Sequence, residues 1–269
     1  DCGPRLRVSR LRTCLSSLSG VRRLNLKPVK DVLVIAEMKA IPDIKRQPLT
    51  LFIITCLSFI PLFFTFFWGG QISFALVGGM VGSVGFIGLA SAVQDIMWDR
   101  YVKIREMIVA MPVHPLSYSF GVALSKLLYA SPGFIIFIVI STAFGILPLS
   151  SLGWVVASVF LCWAALSSIG FVMSTYLRNA NVNTVNNVSN ILGILFIFLP
   201  PVFYSEQLWG SFQWLAIIFP TSNAAGLIKS YAGISPLTPE IALLRWFVLI
   251  ITTAVSVLLV ALKSRWREE

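Results

Sequence analysis

Residues 98–121 read WDRYVKIREMIVAMPVHPLSYSFG, the most polar island in the middle of an apolar chain. The island carries Asp99, Arg100, Lys103, Arg105 and Glu106, then breaks sharply at Met111-Pro112-Val113-His114-Pro115. On its two sides lie runs without a single charge, 49–94 and 127–177, and two more follow at 179–205 and 246–262. A membrane-crossing helix needs about 20 apolar residues. The first two runs therefore each hold two spans, and the island is the polar turn between the second span and the third.

Composition agrees. Of 269 residues, 57% are hydrophobic and 12% charged, whereas soluble domains average about 25% charged. The expected fold is an all-α integral membrane protein with six spans, near 49–68, 72–96, 118–147, 154–177, 184–203 and 241–262.

The net charge of +10 is not that of a nucleic-acid binder, because its distribution is lopsided. Eleven of the 21 basic residues precede Leu49, and most of the others fall in the short turns that six spans place on the same side. Lys and Arg are retained on the cytoplasmic side of membranes. This predicts a multi-pass plasma-membrane protein with both termini cytoplasmic, in contact with lipid and not with nucleic acid.

Residues 1–28 form a basic tail with no carboxylate after Asp1. It is expected to lie disordered against anionic headgroups or to be a leader, and it is left out of the fold. Residues 29–48 read as an amphipathic interfacial helix. Val29, Val32, Leu33, Ala36 and Ala40 share a face, with Lys30, Asp31 and Glu37 off it. The six-span body is then 49–269.

Inside the second span, Gly78, Gly79, Gly82, Gly85 and Gly88 give a helix-packing or dimer face. Pro132-Gly133 predicts a kink in the third span, and Lys126 is expected to snorkel to the headgroups. The asparagines at 179, 181, 183, 186, 187 and 190 must cap the fifth span or face a polar interior. The stretch 206–225 is too short to cross and is expected to form interfacial or re-entrant helices, ended by Pro220-Thr221-Ser222-Asn223.

Catalytic and metal chemistry find little support. There is no phosphate-binding glycine loop followed by Lys and Ser or Thr. His114 is the only histidine, and Cys2, Cys14, Cys56 and Cys162 lack ligand spacing. Asp95 and Asp99, one turn apart beside Arg100, read as an ion-paired helix end. The spans hold almost no charge beyond Lys126 and Arg245, which argues against an ion-driven carrier and for an energy source on another chain.

Asp99-Arg100, Arg105-Glu106-Met107 and Val109-Ala110-Met111-Pro112-Val113 resemble a motif of the ABC transporter type-2 permeases, in particular the daunorubicin-resistance-like efflux permeases. That motif has an Asp-Arg-Glu-type start, a short helix and an Ala-Pro-Val-type end. Here Tyr101-Val102-Lys103-Ile104 intervenes before Arg105-Glu106, and Met111 precedes the proline. The likeness extends over residues 29–269, including Pro200-Pro201-Val202-Phe203-Tyr204 through the segment ending at Pro220.

The resemblance implies a type V exporter fold and a half-transporter that pairs with itself or a related permease. Two copies of a separate ATP-binding subunit would hold the ATP and Mg, and this chain would bind no cofactor and hydrolyse nothing itself. The island becomes a coupling helix seated in the ATPase. The coupling interface would comprise Asp99, Arg100, Lys103, Arg105, Glu106, Met107, Val109, Met111 and Pro112, with Arg100, Arg105 and Glu106 the polar grip and Met107, Val109 and Met111 the apolar anchor. Lys30, Glu37 and Lys39 of the surface helix support that contact. The implied cargo is a hydrophobic or amphipathic molecule such as a drug or lipid. The alternatives are a lipid-linked polysaccharide carried by the same machinery, and a non-transporting membrane scaffold.

Overall fold

A computed structural model describes residues 27–46, 48–60, 62–63, 71–101, 115–177 and 180–263. Among the described residues every regular element is helical. In chain order they are α1 (Lys27–Arg46), α2 (Pro48–Leu57), α3 (Ile72–Phe86), a π-helical turn (Ile87–Ser91), α4 (Ala92–Tyr101), α5 (Pro115–Ala143), α6 (Leu152–Tyr176), α7 (Val182–Phe198), a 3₁₀ segment (Glu206–Ile218), α8 (Pro220–Tyr231) and α9 (Pro239–Lys263).

Four stretches are long and apolar enough to cross a membrane: Ile72–Asp99, Leu116–Ala143, Leu149–Tyr176 and Pro239–Leu262. They are the second, third, fourth and sixth of the spans read from the sequence. α7 falls short, because its 17 residues rise only about 25 Å. It ends ahead of Pro200-Pro201, not at 203 as expected. In the first expected span, α2 covers ten residues, and 64–70 lie outside the described residues.

The core is built around α3, whose residues from Ala75 to Gly85 are all buried. A helix buried on every side needs small residues wherever a neighbour crosses closely. Phe203 packs directly over Gly78, and Phe137 over Gly79, where an added Cβ would lie 2.5 Å from its ring. Gly82 meets Ile197 and Phe203, Gly85 meets Leu166, and Gly88 meets Trp163. The five glycines thus seat side chains of the same chain. The π turn, where the sequence predicts ordinary helix, surrounds Gly88.

α5 runs unbroken through Pro132. Proline removes the N–H that would bond the carbonyl of Leu128; the Ser131 hydroxyl donates to that carbonyl at 2.7 Å instead. Beyond the helix ends, Gly145 and Gly233 (both φ 68°) provide the left-handed residue that turns the chain.

α1 packs along the start of α5, with Ile35 and the Val32 carbonyl against Gly121. The face it buries is Val32, Ile35, Ala36, Lys39 and Ala40. This corrects the expected stripe, since Val29 and Leu33 are exposed, together with Val34, Met38, Ile41 and Ile44. α1 is apolar on more than one side: one face meets α5 and the other is left outward.

Candidate functional site

Two polar clusters lie at opposite ends of the α3–α4 rod. The first adjoins residues 102–114. Asp95 and Asp99 sit one turn apart on α4, so both carboxylates face the same neighbours. Lys39 of α1 reaches Asp99 at 2.5 Å and Asp95 at 3.9 Å. Lys126 of α5 reaches Asp95 at 3.0 Å, and the Tyr118 hydroxyl, also on α5, donates to Asp99. Two cations, two carboxylates and a phenol join three helices, and the charges balance.

This arrangement pairs both aspartates, as an ion-paired helix end requires, and corrects one expectation. Lys126 does not snorkel; it pairs with Asp95 and lies 5.7 Å from the Tyr129 ring. The described charged partners of the two aspartates are Lys39, 56 and 60 residues away, and Lys126, 31 residues from Asp95. Of the surface-helix residues, Lys39 is in the cluster, whereas Lys30 and Glu37 are exposed. Asp99 is 7% exposed. Arg100 lies in α4, its side chain outside the described residues. Lys103, Arg105, Glu106, Met107, Val109, Met111 and Pro112 lie outside them altogether.

The asparagine-rich stretch does both things expected of it. Asn181 caps α7 by accepting from the Asn183 N–H at 3.4 Å. Asn190 accepts from Gln94 of α4 at 2.9 Å, and Ser189 from the same amide at 3.4 Å. α7 is thereby tied to the helix that carries the aspartates.

The second cluster was not anticipated. Pro220 starts a helix instead of ending one: α8 carries proline at its first position, where the missing N–H costs nothing. Every residue from Pro220 to Lys229 is buried. Thr221 donates to the Phe196 carbonyl at 2.6 Å and lies 3.8 Å from where a Cβ on Gly85 would be. α8 therefore begins level with the middle of the α3–α4 rod and runs toward the start of α3. At its other end the Lys229 ammonium, 2% exposed, donates to the carbonyls of Pro201 at 2.7 Å and Tyr204 at 2.8 Å. It also lies 5.0 Å from the Phe74 ring.

Arg245 of α9 is 3% exposed. It donates to the Glu206 carboxylate and, at 3.3 Å, to the Ser222 carbonyl. Its guanidinium lies against Gly226, where any side chain would collide with it. Burial pushes the Lys229 ammonium down to about 7, Glu206 pulling it up and Arg245 adding to the depression. Burial also raises the Tyr204 phenol, against the hydrogen bond it accepts from Trp209.

Buried charge is thus present at both ends of the bundle: Lys126 and Arg245, the two charges the sequence places near span ends, and Lys229 between the last two spans. The signal for α8 was legible as Pro followed by Thr-Ser-Asn; the placement of Lys229 had no sequence signal. Among the described residues no group of three or more metal-ligating side chains occurs. Comparison with known protein families, characterised proteins and solved structures gives no match.

Proposed function

We propose that this chain is the permease subunit of an ATP-driven exporter, with six spans, working as a dimer and coupled through residues 99–112 to separate ATP-binding subunits. The observation that supports this most is the first cluster. Lys39, Asp95, Asp99, Tyr118 and Lys126 fasten the interfacial helix to both helices that flank residues 102–114. A push delivered to that segment reaches α4 and α5 directly and α1 through two ion pairs. The resemblance of 99–113 to the type-2 permease motif supplies the identity of the pusher. On this reading the cluster is cytoplasmic and the Lys229–Arg245 cluster is at the outer end.

The cargo on this reading is hydrophobic or amphipathic. A lipid-linked polysaccharide is the alternative with the same machinery, and a membrane scaffold the alternative without it. The buried charges reopen an ion-driven carrier, which would act without an ATPase.

Purification from the native cell in mild detergent separates these. The expected result is a stoichiometric ATPase with a phosphate-binding loop, lost when residues 105–111 are deleted. Recovery of the chain alone, under conditions that preserve other membrane complexes, would overturn the proposal.

A further inference from the structure

We propose that Arg245, with Lys229 and the first turn of α8, forms a seat for the anionic headgroup of an amphiphile, and that Glu206 is the built-in carboxylate that occupies it in this structure. As a cargo site this rests on the exporter reading; as an anion seat it stands on geometry alone.

The argument starts from charge. Two basic side chains, Lys229 and Arg245, are almost fully buried; Glu206 pairs with Arg245, and Lys229 donates to the Pro201 and Tyr204 carbonyls beside it. Glu240, at the start of α9, is exposed. A buried cation is stable only when paired, so whatever lifts Glu206 away must bring an anion of its own. Burial is unequal within the pair: the Arg245 side chain is 3% exposed and that of Glu206 24%. Arg245 is fixed on the 25-residue α9. Glu206 begins a 3₁₀ segment whose ladder is interrupted at Gly210. The carboxylate is therefore the exchangeable partner.

Hydrogen-bonding capacity is left over on the guanidinium and in the first turn of α8. The Arg245 Nε and the Ser222 Oγ are buried and have no partner. Ser222 stands in the first turn of α8, where the helix dipole favours negative charge. Glu206 satisfies one guanidinium nitrogen; a phosphate, sulfate or carboxylate head has enough oxygens to engage Nε as well.

The apolar half of the ligand follows from the same segment. Immediately after Glu206, the side chains of Leu208, Phe212, Trp214 and Ile218 are more than half exposed. A chain attached to a head at Arg245 has these side chains to lie against. The ligand class is an oxyanion on an alkyl chain.

The test uses the purified full-length protein in neutral maltoside micelles at fixed detergent. Tryptophan fluorescence is followed as dodecyl phosphate, inorganic phosphate or dodecanol is added. The expected result is saturable binding of dodecyl phosphate only, weakened at least about tenfold in Arg245→Gln and tightened several-fold in Glu206→Gln. The second variant keeps the shape of the internal competitor and removes its charge, a change that a purely structural pair would not convert into tighter binding. Equal binding of dodecanol overturns the headgroup claim, and equal binding of inorganic phosphate overturns the amphiphile claim. Should Arg245→Gln fail to fold, unchanged affinity in Glu206→Gln alone overturns the proposal. None of these outcomes depends on an ATPase, so the exporter reading stands or falls separately.

Discussion

The ammonium of Lys39, on α1, sits 2.5 Å from a carboxylate oxygen of Asp99, near the end of α4. The two residues are 60 positions apart, and the pair ties α1 to the helix leading into residues 102–114. Their side chains are 21% and 10% exposed, between a surface pair and a buried one. Breaking the pair with Lys39→Ala or Asp99→Asn is expected to cost about 1–3 kcal/mol. The reversal Lys39→Asp with Asp99→Lys should recover most of the loss, read as thermal unfolding in detergent. A double-mutant cycle with no coupling would assign the cluster to packing alone.

Glu106→Arg reverses a charge in the segment proposed to contact the ATPase. The expected outcome is loss of transport-coupled ATP hydrolysis, with the α-helical circular dichroism and gel-filtration profile retained. Transport at the original rate would remove the coupling role given to this residue.

Gly226 lies beneath the Arg245 guanidinium. Gly226→Ala should displace that group from Glu206 and Ser222 and destabilise the protein by about 2–4 kcal/mol. Gly153, in the first turn of α6, has nothing within 4 Å of an added Cβ. Gly153→Ala is expected to be neutral or to stabilise by up to about 1 kcal/mol. Melting temperatures of the two variants, measured side by side, separate steric clash from backbone entropy.

Lys229 gives stability a pH dependence of known sign. Its folded value is about 7 against an ordinary 10.5. Between those limits the unfolded chain binds more protons than the folded one, so stability rises with pH across the window. Below 7 both states are protonated and the full cost of burying the charge applies. Unfolding curves between pH 7 and 10 should show this rise, and Lys229→Met should flatten it.

Six spans require residues 49–68 to cross the membrane, which places Gln71 and Lys45 on opposite sides. Cysteines introduced at each position, in a background with Cys2, Cys14, Cys56 and Cys162 replaced by serine, should react with an impermeant maleimide from opposite faces of sealed vesicles. Labelling from the same face would remove residues 49–68 from the count of spans.

Membrane character, the four long helices and the end of α3 that needs small residues were all legible in the sequence. Each depends on local composition: a charge-free run of 46 residues, 49–94, is a membrane segment in any fold, and glycines at three-residue spacing make a groove whatever fills it. The packing face of α1 was legible only in part. α1 is apolar around more than half its circumference, so periodicity gave a stripe but could not say which edge α5 would cover. Pro220 was misread because proline both ends one helix and starts the next, and the choice lay with the following Thr-Ser-Asn.

By itself the sequence determined where the chain is too apolar for water and where its charges are concentrated, since both follow from transfer free energies residue by residue. Tertiary structure alone decided which charges meet. Lys39 with Asp99, Lys126 with Asp95 and Arg245 with Glu206 join separate helices, and no local rule selects a partner across 30 to 60 residues. Burial of Lys229 and Arg245 was decided in the same way. A 12-residue helix can be wholly enclosed only after α3, α6 and α9 have assembled around it. The cost of enclosing a charge is met by carbonyls and a carboxylate that the sequence places elsewhere.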